Sequence, residues 1–319
     1  MPHDGIIVEN LSKRFDDVTA VQQISFQVEP GEIFGFLGPN GAGKSTTVAI
    51  LTTLLRPSAG SASVGGFDVA SEARAVRQIA GVALQEIGLD PLMTSLELLS
   101  LHARLFGMNR RQARQRALEL IELVQLTDAI ERRVGKYSGG MRRRLDLAMA
   151  LVHQPQILFL DEPTTGLDPA SRRDIWDEIR RLNSQFGMTI FLTTQYLEEA
   201  DALARRVAII NQGEIAISGT PSGLKAEMGG DSINLDFAAE QEVRAAEQLL
   251  TASRDELGID RLQSDQLTLR LYLRNAAAAV AAVVRKLDTV DVHPRQLTLS
   301  QPTLDDVFLR VTGHRYQQE

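Results

Sequence analysis

The chain has 319 residues, 44% of them apolar, enough to bury a sizeable core in one large domain and a smaller one. Its 34 Lys and Arg against 41 Asp and Glu give a net charge of −7, which argues against a protein whose main task is neutralising nucleic-acid phosphates. The absence of cysteine excludes disulfides and thiolate metal sites and permits a reducing cytoplasm, and the five His are too scattered for a zinc site.

The opening Met1-Pro2-His3-Asp4-Gly5 lacks the basic start and long apolar stretch of a signal peptide. No run approaches the roughly 18 apolar residues of a bilayer span, so service to a membrane is expected to run through a partner. Residues 6–8 and 24–28 read as β-rich runs, and 33–37 leads as a strand into a glycine-rich loop. That loop, Gly38-Pro39-Asn40-Gly41-Ala42-Gly43-Lys44-Ser45, fits G-x-x-x-x-G-K-[ST] and is followed by Thr46 and a helix pattern over 45–55. Glycines let such a loop wrap phosphates with its amides, and the helix N-terminus adds positive potential. Lys44 is expected on the β- and γ-phosphates and Ser45 on Mg²⁺; an ordinary glycine turn is the alternative.

From about 93 to 127 the three- and four-residue spacing of Leu96, Leu99, Leu101 and Leu105, then Ala117, Leu120, Ile121 and Val124, predicts an inserted helical subdomain. Tyr137-Ser138-Gly139-Gly140-Met141 then opens another helix, with Leu145, Ala148 and Leu151 inward. Ser138 is a good N-cap, and the glycines leave amides open to an anion; a plain capped helix reads equally well. Arg142-Arg143-Arg144, with Arg110, Arg111, Arg114 and Arg116, reads as a solvated helix face in preference to a nucleic-acid contact.

The apolar run 157–160 ends in Asp161-Glu162. There Asp161 suits the surroundings of Mg²⁺, and Glu162 suits polarising a water for attack on a γ-phosphate. A helix over 170–186, a strand over 189–194 and a hairpin around Asn211-Gln212-Gly213 close this domain, whose buried strands predict a mainly parallel sheet. Beyond Gly229-Gly230 the rhythm changes to strands at 232–237, 267–273 and 296–300 and helices at 239–252, 276–287 and 303–312, the order of a split β-α-β fold of the ferredoxin type.

In this order, the loop, the Ser-Gly-Gly turn and the acidic pair resemble the ABC ATPase family over residues 4–225. The resemblance implies a P-loop α/β core with an antiparallel β subdomain and an inserted helical subdomain (about 90–150), together forming an ATP-binding domain over 4–228. An α+β ferredoxin-like domain over 229–319 follows. It also implies ATP and Mg²⁺ as cofactors. The family's signature is L-S-G-G-Q, so Tyr137 and Met141 depart from it, while Ser138, Gly139 and Gly140 are kept to hold the partner's ATP.

By the same resemblance, Phe15 matches the aromatic that stacks on adenine, although a core Phe is the alternative, and Gln85 matches the glutamine that couples Mg²⁺ to the permease contact. Asp168, in Thr165-Gly166-Leu167-Asp168, matches the loop that crosses the dimer interface. Gln195 stands where the family's switch His is usual. That Gln, with Pro302-Thr303-Leu304-Asp305-Asp306-Val307-Phe308-Leu309, resembles the daunorubicin-resistance type of subunit. The implied protein is an ATPase motor: a homodimer on the cytoplasmic face of the membrane, serving an integral-membrane permease that exports a hydrophobic drug-like compound or lipid. A soluble ABC ATPase acting on nucleic acid or ribosomes is the rival, although the second cassette or long coiled coil of such proteins is missing. A regulatory nucleotide-binding module without turnover is another, which Glu162 opposes and Gln195 leaves open.

Overall fold

The structure, a computed structural model, describes residues 4–85, 88–227, 231–273 and 275–312. It divides between Pro221 and Ser222 into two compact units. The Gly229-Gly230 break expected from the sequence lies outside the described residues. The division falls earlier, and helix Pro221–Glu227 is tied to the C-terminal helix by Arg310, whose Nη1 donates to Glu227 O at 2.8 Å.

The first unit is built on a six-stranded sheet in the order Glu214–Gly219, Arg206–Asn211, Ile33–Leu37, Thr189–Thr194, Ile157–Asp161, Ala80–Ala83. Only the first pairing is antiparallel. The three central strands are buried at every position, which is why the sequence reads there as short apolar runs, closed by Asp161 in one strand and flanked by threonines in another. Phe26, Phe34, Phe36, Phe159 and Phe191 fill one face with ring centroids 5.5 to 5.9 Å apart. Such pairs add about 0.5–1.5 kcal/mol each beyond their buried area. Leu37 pairs in register with Thr194, and Asp161 with Thr193, so the glycine-rich loop, Glu162 and Gln195 leave the sheet along one edge.

A second, antiparallel sheet runs Val18–Val28, Ile6–Phe15, Ala59–Val64, Phe67–Asp68. Its first two strands are longer than the short runs expected, because they pair along almost their whole length. The helix after the loop is shorter than expected: Lys44–Leu51 ends where Thr52 Oγ1 turns back onto Val48 O and Thr53 takes φ 63°. Helices Ser95–Leu105 and Arg110–Leu123 each open with a reciprocal cap, Thr94 with Glu97 and Asn109 with Gln112. They bury Leu98, Leu99, Ala103, Ala113, Ala117, Leu120 and Ile121, while Leu101 and Leu105 face solvent.

In the second unit, strands Ile259–Asp265, Thr268–Leu273, Asp231–Asp236 and Gln296–Ser300 lie in that order and pair antiparallel throughout. Helices Glu240–Ala252 and Ala276–Asp288 complete the split β-α-β arrangement. Among the described residues, no helix is long and apolar enough to cross a membrane.

Candidate functional site

Two glycines set the loop. A Cβ on Gly38 would lie 2.4 Å from Ile210 O, and Gly43 has φ 106° with its Cβ position 2.4 Å from Ala20 O. No other residue fits such approaches. The loop then delivers Lys44 as the first residue of its helix, 4% exposed. Its Nζ donates to Gly38 O (2.8 Å) and Pro39 O (3.1 Å) and pairs with Glu162 Oε1 at 3.1 Å.

Glu162 is held in the left-handed region, φ 50°, a conformation that costs a non-glycine residue about 1–3 kcal/mol and persists only where the surroundings over-determine it. Here they do. Its N–H donates to both O (3.0 Å) and Oγ1 (3.1 Å) of Thr193. Its Oε2 accepts from Gln85 Nε2 (3.3 Å) and Thr165 Oγ1 (3.2 Å). Asp161, buried beside it, accepts a short hydrogen bond from Thr193 Oγ1.

Asn40, Gly41, Gly43, Lys44, Ser45, Thr46, Gln85 and Glu162 line a cleft of about 320 Å³ together with Ala20, which sequence reasoning passed over because an alanine announces nothing. The cleft thus joins amide donors, one ammonium, two hydroxyls, two carboxamides and a carboxylate, a set suited to phosphates and a hard cation. A larger cavity of about 680 Å³ beside Leu120, Leu151 and Phe186 is mainly apolar; Glu119, Gln154 and Gln156 reach it, but no ammonium or hydroxyl side chain does.

Several expected residues stand outside the cleft lining: Gly38, Pro39 and Ala42 of the loop itself, Phe15, Asp161, Asp168, Gln195 and the Ser138-Gly139-Gly140 turn. Phe15 is 42% exposed with the Lys13 Nζ 5.0 Å from its ring, so it is not a core residue. Gln195, half-buried, makes no side-chain hydrogen bond among the described residues. Ser138 caps helix Gly139–Ala150 by accepting from Met141 N at 3.2 Å. The departures at Tyr137 and Met141 are packing choices: Tyr137 is buried with its OH donating to Ala129 O at 2.8 Å, and Met141 lies against the same core. Asp168 caps helix Pro169–Phe186, accepting from Ala170 N and Ser171 N, each at 3.0 Å, and from the Ser171 hydroxyl at 2.6 Å. The Ser171 bonds hold its carboxyl below the usual carboxylate range. A Cβ on Gly140 would meet Ser171 Oγ at 3.0 Å, so the glycine turn and the Asp168 cap pack closely within one chain.

The arginine run is not the solvated face expected. Arg142 is exposed, but Arg143 is 5% exposed and hydrogen-bonded to the segments around Glu162. Behind them, the fully buried Glu199 carboxylate accepts from Thr164 Oγ1 and Trp176 Nε1, each at 2.9 Å. Burial raises its pKa, opposed by these bonds and by the Thr194 hydroxyl.

The ABC transporter family pattern matches residues 21–165, and that of the DrrA1-3-like ATP-binding protein C-terminal domain matches 219–312. The daunorubicin resistance ATP-binding protein DrrA2 of Streptomyces coeruleorubidus is 44% identical over 98% of this chain and 97% of its own length. The linearmycin resistance ATP-binding protein LnrL of Bacillus subtilis is 35% identical over 96% and 97%. Among solved structures, the dimeric post-hydrolysis state of the ATP-binding cassette MJ0796 bound to ADP and Pi superposes with TM-score 0.61 at 26% identity, over 67% of this chain and 98% of that one. The chain therefore belongs to the ATP-hydrolysing subunits of ABC transporters, and within them to the daunorubicin-resistance type.

Proposed function

We propose that two copies of this chain close on two ATP molecules and so drive a separate integral-membrane permease that exports a hydrophobic, drug-like or lipid-like compound, with the chain peripheral on the cytoplasmic face of the membrane. The single observation that carries the two-copy reading is the likeness to the dimeric ATP-binding cassette MJ0796, and the absence of the Ser138-Gly139-Gly140 turn and Asp168 from the lining of the Lys44–Glu162 cleft agrees with it. Each cleft would be completed by the other copy's turn. The exported class rests on relatives named for resistance to daunorubicin and linearmycin and for Nod factor export.

Within the cleft, the loop amides and Lys44 would take the β- and γ-phosphates. An incoming phosphate competes with Glu162 for the Lys44 ammonium, which frees the carboxylate to accept a proton from the attacking water. Gln85 and Thr165, both bonded to Glu162 Oε2, would orient that carboxylate. Gln195 would hold the γ-phosphate or the water by hydrogen bonds, since a carboxamide cannot take up a proton near neutral pH. The residues fit Mg²⁺: Ser45 and Gln85 present oxygens to the cleft, with the Asp161 carboxylate at the adjoining strand end. When bound, the ion would neutralise charge on the phosphates. The exposed Phe15 would stack on the adenine.

The test is complementation. A variant changed only at Lys44, mixed with one changed only at Ser138, should regain one intact site per heterodimer and with it ATP turnover. A mixture as inactive as its components, with heterodimers shown to form, would overturn the shared site. Copurification of the tagged chain with a membrane protein that stimulates its ATPase tests the transport reading.

A further inference from the structure

Arg143 shares the buried stripe of its helix with Leu147 and Ala150. A charge so deeply buried must find partners, and those of Arg143 are unusually placed. Its Nη2 donates to Asp161 O (3.0 Å) and its Nε to Pro163 O (2.7 Å), the carbonyls immediately before and after Glu162. Its Nη1 donates to Leu84 O (2.7 Å), the carbonyl immediately before Gln85, and to Asp146 Oδ2 (3.0 Å). One guanidinium thus grips both flanks of the residue with φ 50° and the flank of the glutamine bonded to its carboxylate. Its own helix begins with the Ser138-capped glycine turn.

We propose that Arg143 is a positioning residue that fixes the Glu162 carboxylate and the Gln85 amide and makes their placement depend on that of the Ser138-Gly139-Gly140 helix. The inference rests on the reading of Glu162 as the group that activates water. A guanidinium is a planar fork with donors in fixed directions, so three carbonyls from two chain segments are met together at only one placement of the helix. A displacement of the helix loosens at least one of them. Engagement of the glycine turn by a nucleotide on a second copy would then be felt at this copy's own Glu162.

The full-length chain carrying Arg143→Met or Arg143→Lys decides it, with ATP hydrolysis, binding of a fluorescent ATP analogue and melting temperature measured on each. Arg143→Met should lower kcat about 10- to 100-fold, the penalty of a misplaced catalytic group. The analogue's Kd should move by less than about threefold, because that group acts in the transition state. Arg143→Lys, which keeps the charge but not the fork, should fall between. A parental kcat in either variant overturns the proposal. So does a loss of rate, binding and melting temperature in step in Arg143→Lys, which would make Arg143 a structural prop. If Arg143→Met does not fold, the Lys variant decides alone. Parental turnover in Glu162→Gln would instead remove the water-activating reading itself, whatever Arg143 does.

Discussion

The two units bury different kinds of residue. The first buries Glu32, Lys44, Arg143, Asp161, Glu162, Glu178 and Glu199, whereas among the described residues the second buries no charge and, of polar groups, only Ser232 and Ser253. Its core is made of residues such as Ile233, Leu235, Leu269, Leu271, Val283 and Leu287. A buried charge costs several kcal/mol unless paired, so a fold keeps charges where they serve a purpose. In the first unit one purpose is fastening, as where Arg206 grips Glu32 through two bonds of 2.7 Å. Glu178 is likewise paired, with Arg181 on its own helix, whereas Lys44 and Glu162 line the cleft and Arg143, Asp161 and Glu199 are bonded to the segments that carry Glu162. The buried charges of the described residues thus lie in the first unit alone, and with them every residue of the reaction chemistry we propose.

The strongest test of that division is the carboxylate at its centre. Glu162→Gln keeps the size of the side chain and loses the base, so turnover should fall about 10²-fold or more while ATP binding persists. Steady-state hydrolysis and analogue binding measure both. Near-parental turnover would move the chemistry away from the buried pair.

Gln195 should matter somewhat less. A lost charge-assisted hydrogen bond amounts to roughly 1.5–3 kcal/mol, so Gln195→Ala should slow hydrolysis about 10- to 150-fold if the bond forms only in the transition state. Gln195→His should retain substantial activity. In the parent, no step of the pH–rate profile should be traceable to a switch imidazole, whose unperturbed pKa is about 6.5. An Ala variant as fast as the parent would mean that the γ-phosphate is sensed elsewhere.

Asp146, in the first unit, should make stability depend on pH. Burial pushes its carboxyl pKa up to about 6 against the ordinary 3.8, with Arg143 opposing the shift. Unfolded, the group ionises near its ordinary value; folded, it keeps its proton to about 6. Stability from this group is therefore present at low pH and lost as pH rises through that window, by about 1.4 kcal/mol per pH unit. Urea unfolding of parent and Asp146→Asn at several pH values isolates the slope. Parallel stability curves would mean that Asp146 titrates alike in both states.

What the sequence made legible follows the same physics. The loop Gly38–Ser45 could be found because phosphate cradling leaves few residue choices, and the central strands because double-sided burial demands apolar runs. Strand Ile259–Asp265 escaped notice because only Ile259 of it is buried, so its pattern is that of a polar linker. Ala59–Val64 escaped because its small residues pair closely with the first strand, where a Cβ on Gly60 would lie 2.2 Å from Asn10 O. Arg143 hid in a charge run. Its signal was periodicity: it lies four residues before Leu147 and seven before Ala150, on a face that the helix buries.

If the second unit carries no reaction chemistry, removing it should leave nucleotide binding in place. Every cleft-lining residue, from Ala20 to Glu162, lies in the first unit, whose core clusters contain no residue beyond Ile215. The second unit has its own core, so neither loses its interior when the chain is cut. Truncation after Met228 keeps helix Pro221–Glu227 and removes the strands and helices that follow. The shortened chain should bind a fluorescent ATP analogue with a Kd within about threefold of the parent, as expected when only sites without shared partners are separated. Titration of both chains under the same conditions reads this directly, and circular dichroism shows whether the truncated chain is folded. A folded, truncated chain that no longer binds the analogue would place part of the nucleotide site's support in the second unit and end the division of labour drawn from their buried charges.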